Sequence, residues 1–178
     1  MRERMLHLAG GCFWGVEKYL DAIPGVLGTR TGYANSRLAQ PSYEQVCSGV
    51  TEAAEAVEVR YDADELSLDE LLALFFEAID PTVIDRQGHD VGHQYRTGIF
   101  WTNHDDQPVV IAALERLQAS LPGAQIVVEA APLGNFYDAE EYHQHYLDKN
   151  PGGYCHLPAV TIAQAPLRLA ELRRTAAA

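Results

Sequence analysis

The chain has 178 residues, of which 47% are hydrophobic, and its formal net charge is minus 12. This length allows one domain with a buried core and is too short to indicate two, so we expect a single domain over 1–178, with its core at about 5–158 and a partly flexible tail at 159–178. The negative charge repels phosphate backbones and anionic lipid, which argues against nucleic-acid and membrane partners. The first residues lack an apolar run of signal-peptide length, and no segment is apolar for long enough to cross a bilayer. We therefore expect a cytoplasmic protein.

Hydrophobic periodicity predicts an alternation of strands and helices along the chain. In chain order, the predicted elements are a strand around Leu6 and Leu8, a helix with the stripe Phe13, Val16, Leu20 and Ile23, a strand at 25–33, a strand at 57–61, a helix at 68–79, a strand at 97–102, a helix at 109–121, a strand at 125–131 and a helical piece at 138–147. In the 57–61 strand, Glu58 and Arg60 alternate with apolar residues, which predicts one buried face. Ser67 and Glu70 have the spacing of a capping box before the 68–79 helix.

This order of elements is β-α-β-β-α-β with additions, which favours the α+β class. The fold we expect is a ferredoxin-like two-layer α/β sandwich with added loops, a C-terminal helix and a tail. Three stretches, at 34–54, 80–96 and 149–158, show no regular pattern. Loops of this length in a compact domain are usually functional, so we expect the site among them.

The chain has three cysteines, Cys12, Cys47 and Cys155. They are too few and too widely spaced for a disulfide scaffold, and none belongs to a CxxC pair, so each is either packing or chemistry. Cys12 lies in the run Gly10 to Gly15, between a predicted strand and the first turn of a predicted helix. Free amides and the positive end of the helix dipole favour a thiolate there, so we expect its pKa to fall. The alternative is a buried cysteine that packs under the sheet.

The segment Gly11 to Gly15 resembles the signature of A-type peptide methionine sulfoxide reductases, and further blocks of that family's pattern follow in the same order. These blocks are Gln40 to Gly49, Ala54 to Val57, Asp85 to Gly88 with Asp90, Gly92 and Gln94 to Arg96, then His143 with Gln144, and Tyr154 with Cys155. Several blocks in order are far more specific than one short motif. The resemblance implies an oxidoreductase, a peptide-methionine (S)-S-oxide reductase that acts on methionine S-sulfoxide, free or in proteins, and so repairs oxidised proteins.

The resemblance also implies the roles of the reacting groups. Cys12 attacks the sulfoxide sulfur and is left as a sulfenic acid, which Cys155 converts to a disulfide. Glu55 is the acid that donates a proton to the sulfoxide oxygen, and a pocket of low polarity should raise its pKa toward neutrality. Tyr43 and Tyr95 donate hydroxyl hydrogens to the same oxygen.

The remaining site residues implied by the family bind the substrate or support the acid. Asp90 joins the polar network of the two tyrosines. Phe13 and Trp14 form an apolar wall for the methyl group of the substrate, and Tyr154 is grouped with them as a substrate-binding residue. Cys47 matches a cysteine that the family carries without a catalytic task, so we expect it to be structural and inert.

The same resemblance implies how the enzyme is recycled. It predicts no bound cofactor and no metal, with thioredoxin, or a dithiol such as DTT, as the external reductant of an exposed disulfide. We expect a monomer. His143 and His145 are predicted to lie on different faces of a helix surface, which disfavours a shared metal ion, and His143 and Glu140 support the site by resemblance only.

The chain departs from the family pattern at several places, of which two adjoin candidate site residues. Glu52 and Ala53 stand where glycine and histidine are common, which can alter the loop or the pKa of Glu55. His89 and His93 stand where asparagine and threonine are frequent, which adds two titratable groups near Asp90 and predicts an altered pH dependence.

Each candidate also has a simpler interpretation from the residues alone. Glu55 fits a solvated surface carboxylate, the tyrosines fit ordinary packing, and Cys155 fits a lone surface thiol. Two other functions remain open. One is a cysteine hydrolase or acyltransferase that pairs Cys12 with one of the seven histidines, and the other is a non-catalytic binding module that uses the sheet.

Overall fold

A computed structural model describes residues 1–177, and these form a mixed α+β structure around a six-stranded sheet. The strands are β1 (Glu3–Gly10), β2 (Val26–Ala34), β3 (Ala54–Asp62), β4 (Arg86–Gln87), β5 (Asp90–Val91), β6 (Thr97–Trp101), β7 (Glu129–Pro132) and β8 (Phe136–Asp138). The helices are α1 (Phe13–Asp21), α2 (Tyr43–Cys47), α3 (Leu68–Glu77), α4 (Gln107–Ser120), α5 (Tyr146–Lys149) and α6 (Ala159–Ala176). None of the helices within 1–177 combines the length and apolar character that a bilayer crossing requires.

The last residues of β1 and the first residues of β3 lie at the same end of the sheet. Its strand order is β7-β6-β1-β3-β2-β8, and β1 pairs antiparallel with both β3 and β6. Leu8 lies opposite Val57 in one of these pairings, so the chain that continues from β1 passes beside the first residues of β3. Cys12 and Glu55 therefore approach each other although 42 residues separate Phe13 from Glu55.

Two helices begin with the capping box that their sequences encode. In α3, the Ser67 hydroxyl accepts the N–H of Glu70 at 3.2 Å, and the Glu70 carboxylate accepts the N–H of Ser67 at 2.8 Å, which confirms the prediction. Ser42 and Gln45 make the same reciprocal pair at the start of α2. Because these bonds satisfy amides that a helix start leaves free, α2 is defined inside a stretch that we predicted to be irregular.

The core lies between the sheet and the helices that pack on one of its faces. Leu8, Val57, Leu20 and Phe75 are completely inaccessible to solvent, as the period of each predicted element requires. Burial of each such side chain contributes about 1.5–3 kcal/mol relative to an exposed one. The apolar residues of these predicted elements are therefore buried in the core.

The predicted buried face of β3 is confirmed, since Val57, Val59 and Tyr61 are at most 1% exposed. On the opposite face Arg60 is exposed, whereas Glu58 is only 8% exposed because its strand is central in the sheet. The Glu58 carboxylate accepts a hydrogen bond from Arg30 at 2.9 Å and lies 3.4 Å from His7 Nε2. A buried carboxylate with these partners follows the same two-residue period as a solvated one, so the sequence pattern does not separate the two.

Three other boundaries also differ from the sequence predictions. The predicted strand at 125–131 forms only at Glu129–Pro132. The predicted helix at 138–147 is replaced by β8, a single turn of 3₁₀ helix at Glu141–His143 and the short α5, because His145 adopts a left-handed backbone with φ 48°. The predicted flexible tail is largely α6, which buries Ala165 and Leu169. The last residue of that tail, Ala178, lies outside the described residues.

The segment around α5 is fixed to α1. The buried Glu17 carboxylate accepts the backbone N–H of His145 at 2.9 Å, and burial raises the pKa of Glu17 to about 7. The ring of Tyr146 stacks on Trp14 with ring centroids 3.7 Å apart. These contacts set the starting point of the chain that leads to Cys155.

Candidate active site

Cys12 occupies the N-cap position of α1 and is buried, with 7% of its surface exposed. Its pKa is raised, which contradicts our expectation. Burial is the largest cause, and the Glu55 carboxylate adds to it, while the amides of Trp14 and Gly15 act in the predicted downward direction. The helix start therefore does what the sequence suggests, but desolvation of the thiolate outweighs it. The resting nucleophile is a neutral thiol.

Glu55 lies in β3 and is 1% exposed. One carboxylate oxygen accepts the backbone N–H of Phe13 at 3.1 Å, which places the acid directly beside the nucleophile. The pKa of Glu55 is raised to about 8, chiefly by burial and also by the Asp90 carboxylate, against the opposing effect of the Phe13 amide. This confirms the expected shift toward neutrality and excludes a solvated surface carboxylate. Near pH 7 the group is mostly a neutral acid.

The two predicted tyrosines lie around this acid, from α2 and from the turn after β5. Burial raises the pKa of both hydroxyls, and the next causes are the Cys47 thiol for Tyr43 and the Glu55 carboxylate for Tyr95. Both therefore remain protonated donors at neutral pH. The backbone N–H of Tyr43 donates to the distant Glu140 carboxylate at 3.3 Å, and that of Tyr95 donates to the Gly92 carbonyl at 2.9 Å, so the backbone is held at both residues.

Asp90 contributes charge to the site from β5. Its carboxylate accepts the hydroxyl hydrogen of Tyr154 at 2.9 Å and raises the pKa values of Glu55, Cys12 and Tyr95. Tyr154 is 46% exposed, so it lies at the rim of the site. The structure thus brings Tyr154 and Asp90 together as a direct pair, which the sequence did not indicate.

The predicted apolar wall divides into a core residue and a site residue. Phe13 is 1% exposed and belongs to the main hydrophobic core, with its ring 5.9 Å from that of Tyr33. Trp14 keeps part of its surface accessible, and its indole N–H donates to Nδ1 of His143 at 3.0 Å. An acceptor at Nδ1 leaves the proton on Nε2, so His143 is a neutral ring that orients the indole.

His143 was predicted to lie on a helix surface, and that prediction was wrong. Its side chain is 1% exposed because the 3₁₀ turn points it inward among aromatic rings, of which that of Tyr43 is 4.8 Å away. His145 instead lies on the surface, where its Nδ1 is 3.2 Å from an Asp21 carboxylate oxygen.

Cys155 lies against the first turn of α1, within the segment that follows α5. A Cβ atom built on Gly15 would be only 3.1 Å from Cys155 Sγ, so the missing side chain of Gly15 is what admits this sulfur. The thiol is half-buried, and burial raises its pKa. The lone surface thiol that the sequence also allowed is therefore excluded, since Cys155 packs beside the helix that Cys12 caps.

Cys47 is the exposed last residue of α2, so it has no packing role in the core. Its thiol forms a hydrogen bond with the Tyr43 hydroxyl, which partly opposes the rise in its pKa caused by burial. Cys47 therefore lies next to the site. Its raised pKa keeps its thiol protonated at neutral pH. Its expected inertness stays a prediction.

Among residues 1–177, one group could offer three ligand atoms to a metal, namely Asp21, His145 and Asp148. All three are exposed, and they pair with one another and with Lys18. Ion pairs of this kind are common on protein surfaces without a metal.

The departures from the family pattern fall outside the reacting groups. His93 turns toward Asp85, with Nδ1 3.0 Å from its carboxylate, and His89 is exposed. Neither is among the causes of the raised pKa of Glu55. Glu52 adopts a left-handed backbone with φ 54°, which explains why glycine suits that position.

Sequence reasoning missed Tyr146 and His156. His156 follows Cys155 directly, and its Nε2 lies 3.2 Å from the Gly10 carbonyl oxygen. A histidine adjacent to a candidate reactive cysteine was a signal available in the sequence. The stack of Tyr146 on Trp14 depends on the break at His145 and had no local signal.

Two thiols at the first turn of one helix, with a buried carboxylic acid beside the first, are the arrangement of a thiol-dependent oxidoreductase. The sequence matches the family described as peptide methionine sulfoxide reductase over residues 4–170. It is 53% identical over 152 residues to the peptide methionine sulfoxide reductase MsrA of Mycoplasma genitalium, covering 85% of this chain and 96% of that protein.

Solved structures agree with this similarity. The reduced form of Mxr1 from Saccharomyces cerevisiae matches with a TM-score of 0.82 and 39% identity, over 86% of this chain and 89% of that one. Mxr1 in complex with Trx2 matches with a TM-score of 0.59 and 27% identity, over 82% and 85% of the two chains. The chain belongs to the peptide methionine sulfoxide reductase family and is an oxidoreductase that reduces methionine sulfoxide through a thiol.

Proposed function

We propose that the chain reduces methionine S-sulfoxide, free or in proteins, with Cys12 as nucleophile and Glu55 as acid. The observation that carries this proposal is the carboxyl group of Glu55, buried and 3.1 Å from the N–H that follows Cys12. A pKa of about 8 keeps that group protonated at neutral pH, which a proton donor to a sulfoxide oxygen requires.

The Cys12 thiol and the Glu55 carboxyl group are both protonated at rest, and together they supply the proton that the first step needs. The sulfur of Cys12 forms a bond to the sulfoxide sulfur while Glu55 protonates the oxygen, and the thiol proton replaces the one that Glu55 gives. The oxygen then passes to Cys12, so that methionine leaves and Cys12 becomes a sulfenic acid. Protonation of the oxygen matters because a sulfoxide sulfur is a weak electrophile otherwise.

Tyr43 and Tyr95 donate hydrogen bonds to the same oxygen, and Asp90 supports the protonated state of Glu55. Charge on the oxygen grows during attack, so fixed donors lower the barrier more than they stabilise bound substrate. Trp14, oriented by His143 and Tyr146, forms the wall for the substrate methyl group, with Phe13 behind it and Tyr154 at the rim.

Cys155 then condenses with the sulfenic acid, and an external dithiol reduces the disulfide. A cavity of about 410 Å³ borders Cys155 and is lined by apolar residues that include Leu147, Leu157 and Ile162. Because Cys155 lines this cavity, a reductant can reach its sulfur there. Because Mxr1 forms a complex with Trx2, we infer that thioredoxin, or DTT in the test tube, is the reductant of this chain. We also propose that the enzyme works with no bound cofactor or metal.

The remaining features belong to the same proposal. We infer one domain over 1–178 with a ferredoxin-like two-layer core, since the strands β6-β1-β3-β2 are antiparallel and carry α1 and α3 between them in the β-α-β-β-α-β order. We also propose a monomer in the cytoplasm that binds neither nucleic acid nor membrane, in line with its charge.

The test is mass spectrometry of the enzyme mixed with methionine sulfoxide and no reductant. One methionine per enzyme and a single disulfide between Cys12 and Cys155 are expected. A disulfide through Cys47 instead would overturn the choice of resolving cysteine. Methionine formation by Cys12→Ser would overturn the mechanism as a whole, and separated sulfoxide epimers test the stereochemical preference.

A further inference from the structure

We propose that His156 is a catalytic base for disulfide formation, in which its Nδ1 takes the proton from the Cys155 thiol. This inference rests on the proposed function, because it needs the sulfenic acid that reduction leaves on Cys12. It concerns the second chemical step only, and the first step therefore provides an internal control.

The imidazole ring of His156 and the sulfur of Cys155 border the same point on α1. A Cβ atom built on Gly15 would lie 2.9 Å from Nδ1 of His156 and 3.1 Å from Cys155 Sγ. The other ring nitrogen approaches Gly11, where a built Cβ would be 3.3 Å from Nε2. The ring is therefore inserted between Gly11 and Gly15, beside the Cys155 thiol that must reach Cys12.

Hydrogen bonding fixes which nitrogen can act as the base. Nε2 lies 3.2 Å from the carbonyl oxygen of Gly10, which can only accept, so Nε2 carries the hydrogen. In the neutral ring, Nδ1 is then an acceptor. This Nδ1 is buried and finds no hydrogen-bond partner among residues 1–177, which is a costly arrangement unless a donor arrives during the reaction.

The electrostatic surroundings of His156 favour a ring that is neutral at rest and protonated only transiently during the reaction. Burial lowers the pKa of His156, which keeps the ring unprotonated near pH 7, while the Asp90 carboxylate and the Gly10 carbonyl stabilise the cation once it forms. Burial also raises the pKa of Cys155, so little thiolate exists without help. A base next to this thiol removes that limitation.

The step is balanced in atoms and electrons. The S–H bond of Cys155 breaks as its proton moves to Nδ1, its sulfur forms a bond to the sulfur of Cys12, and the S–O bond of the sulfenic acid breaks. The leaving hydroxide takes the proton back from His156 and departs as water. Cys155 is oxidised and the sulfenic sulfur of Cys12 is reduced, with no other reactant.

The experiment compares wild-type enzyme with His156→Gln in one turnover without reductant. The amide nitrogen of glutamine can occupy the place of Nε2 and keep the donor to Gly10, but glutamine is not a base. Acid quenching followed by alkylation and mass spectrometry separates sulfenic acid from disulfide. We expect the burst of one methionine per enzyme to persist, while disulfide formation slows by about a hundredfold.

The pH profile of disulfide formation gives a signature that a purely structural role would not produce. Between about pH 6.5 and 8.5 the wild-type rate should be nearly level, because the ring is already neutral, whereas the rate of His156→Gln should rise roughly tenfold per pH unit with the thiolate fraction. A wild-type rate of disulfide formation in His156→Gln, or a wild-type profile that rises tenfold per unit, would overturn the proposal.

The methionine burst separates this failure from a failure of the proposed function. If the wild-type enzyme releases no methionine, the proposed function is wrong. His156→Asn serves as the second variant, because a burst in either variant establishes that the site is folded in that sample. A slow disulfide step together with an intact burst supports the base.

Discussion

Replacement of Glu55 by glutamine tests the central feature of the site. The amide matches the carboxyl group in size and can still accept the N–H of Phe13, which now lies 3.1 Å from the Glu55 carboxylate. It cannot ionise and cannot protonate the sulfoxide. The change therefore removes one proton while it leaves the packing of a 1% exposed side chain in place.

The magnitude follows from the shift of the Glu55 pKa from 4.5 to about 8. Because the folded state holds the proton more tightly, the stabilisation from this group is complete below pH 4.5 and is lost as pH rises through 8. The cost of the ionised carboxylate at higher pH is on the order of 5 kcal/mol. Glu55→Gln should accordingly gain stability over wild type as pH rises, while its rate of methionine formation falls by a hundredfold or more.

Two measurements check this prediction. Urea unfolding at about pH 5 and pH 9 gives the free energies of unfolding of both proteins, and their difference cancels the other titrating groups, including Glu17. Rapid quench gives the single-turnover rate, which in wild type should decline above pH 8 as Glu55 ionises. A stability difference that does not change with pH, together with a rate close to that of wild type, would refute our reasoning.

Three further variants test neighbouring parts of the structure. Cys155→Ser should give one methionine per enzyme and lose multiple turnovers with thioredoxin, and normal cycling would contradict its role. Gly15→Ala adds a Cβ 2.9 Å from His156 and 3.1 Å from Cys155 Sγ, so rapid quench should find disulfide formation slowed more than the methionine burst. Glu52→Gly should raise the free energy of urea unfolding by about 1 kcal/mol, because the strain of φ 54° outweighs an exposed ion pair with Arg37. Glu52→Ala keeps that strain and should bring no such gain.

The parts of the fold that the sequence predicted well depend on local signals. The capping box at Ser67 needs only residues three positions apart, and the strand and helix around Cys12 are separated by glycines. Glu55 was found through its motif. For these features, neighbours along the chain determine the outcome.

The features that the sequence did not predict depend on distant segments. The pKa of Cys12 is governed by burial and by the Glu55 carboxylate, which outweigh the helix start that the local sequence encodes. Glu58 is covered because its strand is central in the sheet, and His143, which the 3₁₀ turn points inward, receives a hydrogen bond from the distant Trp14. Each depends on a partner that periodicity cannot identify.

The contact of Glu17 with His145 has a consequence for how motion affects the two chemical steps. Helix α1 begins next to Cys12 and, one turn later, anchors the segment that leads to Cys155. A small tilt of this helix against the sheet would carry both sulfurs along together, whereas the acid, which is carried by β3, would stay behind. Thermal loosening between helix and sheet should thus impair oxygen transfer at lower temperature than it impairs closure of the disulfide.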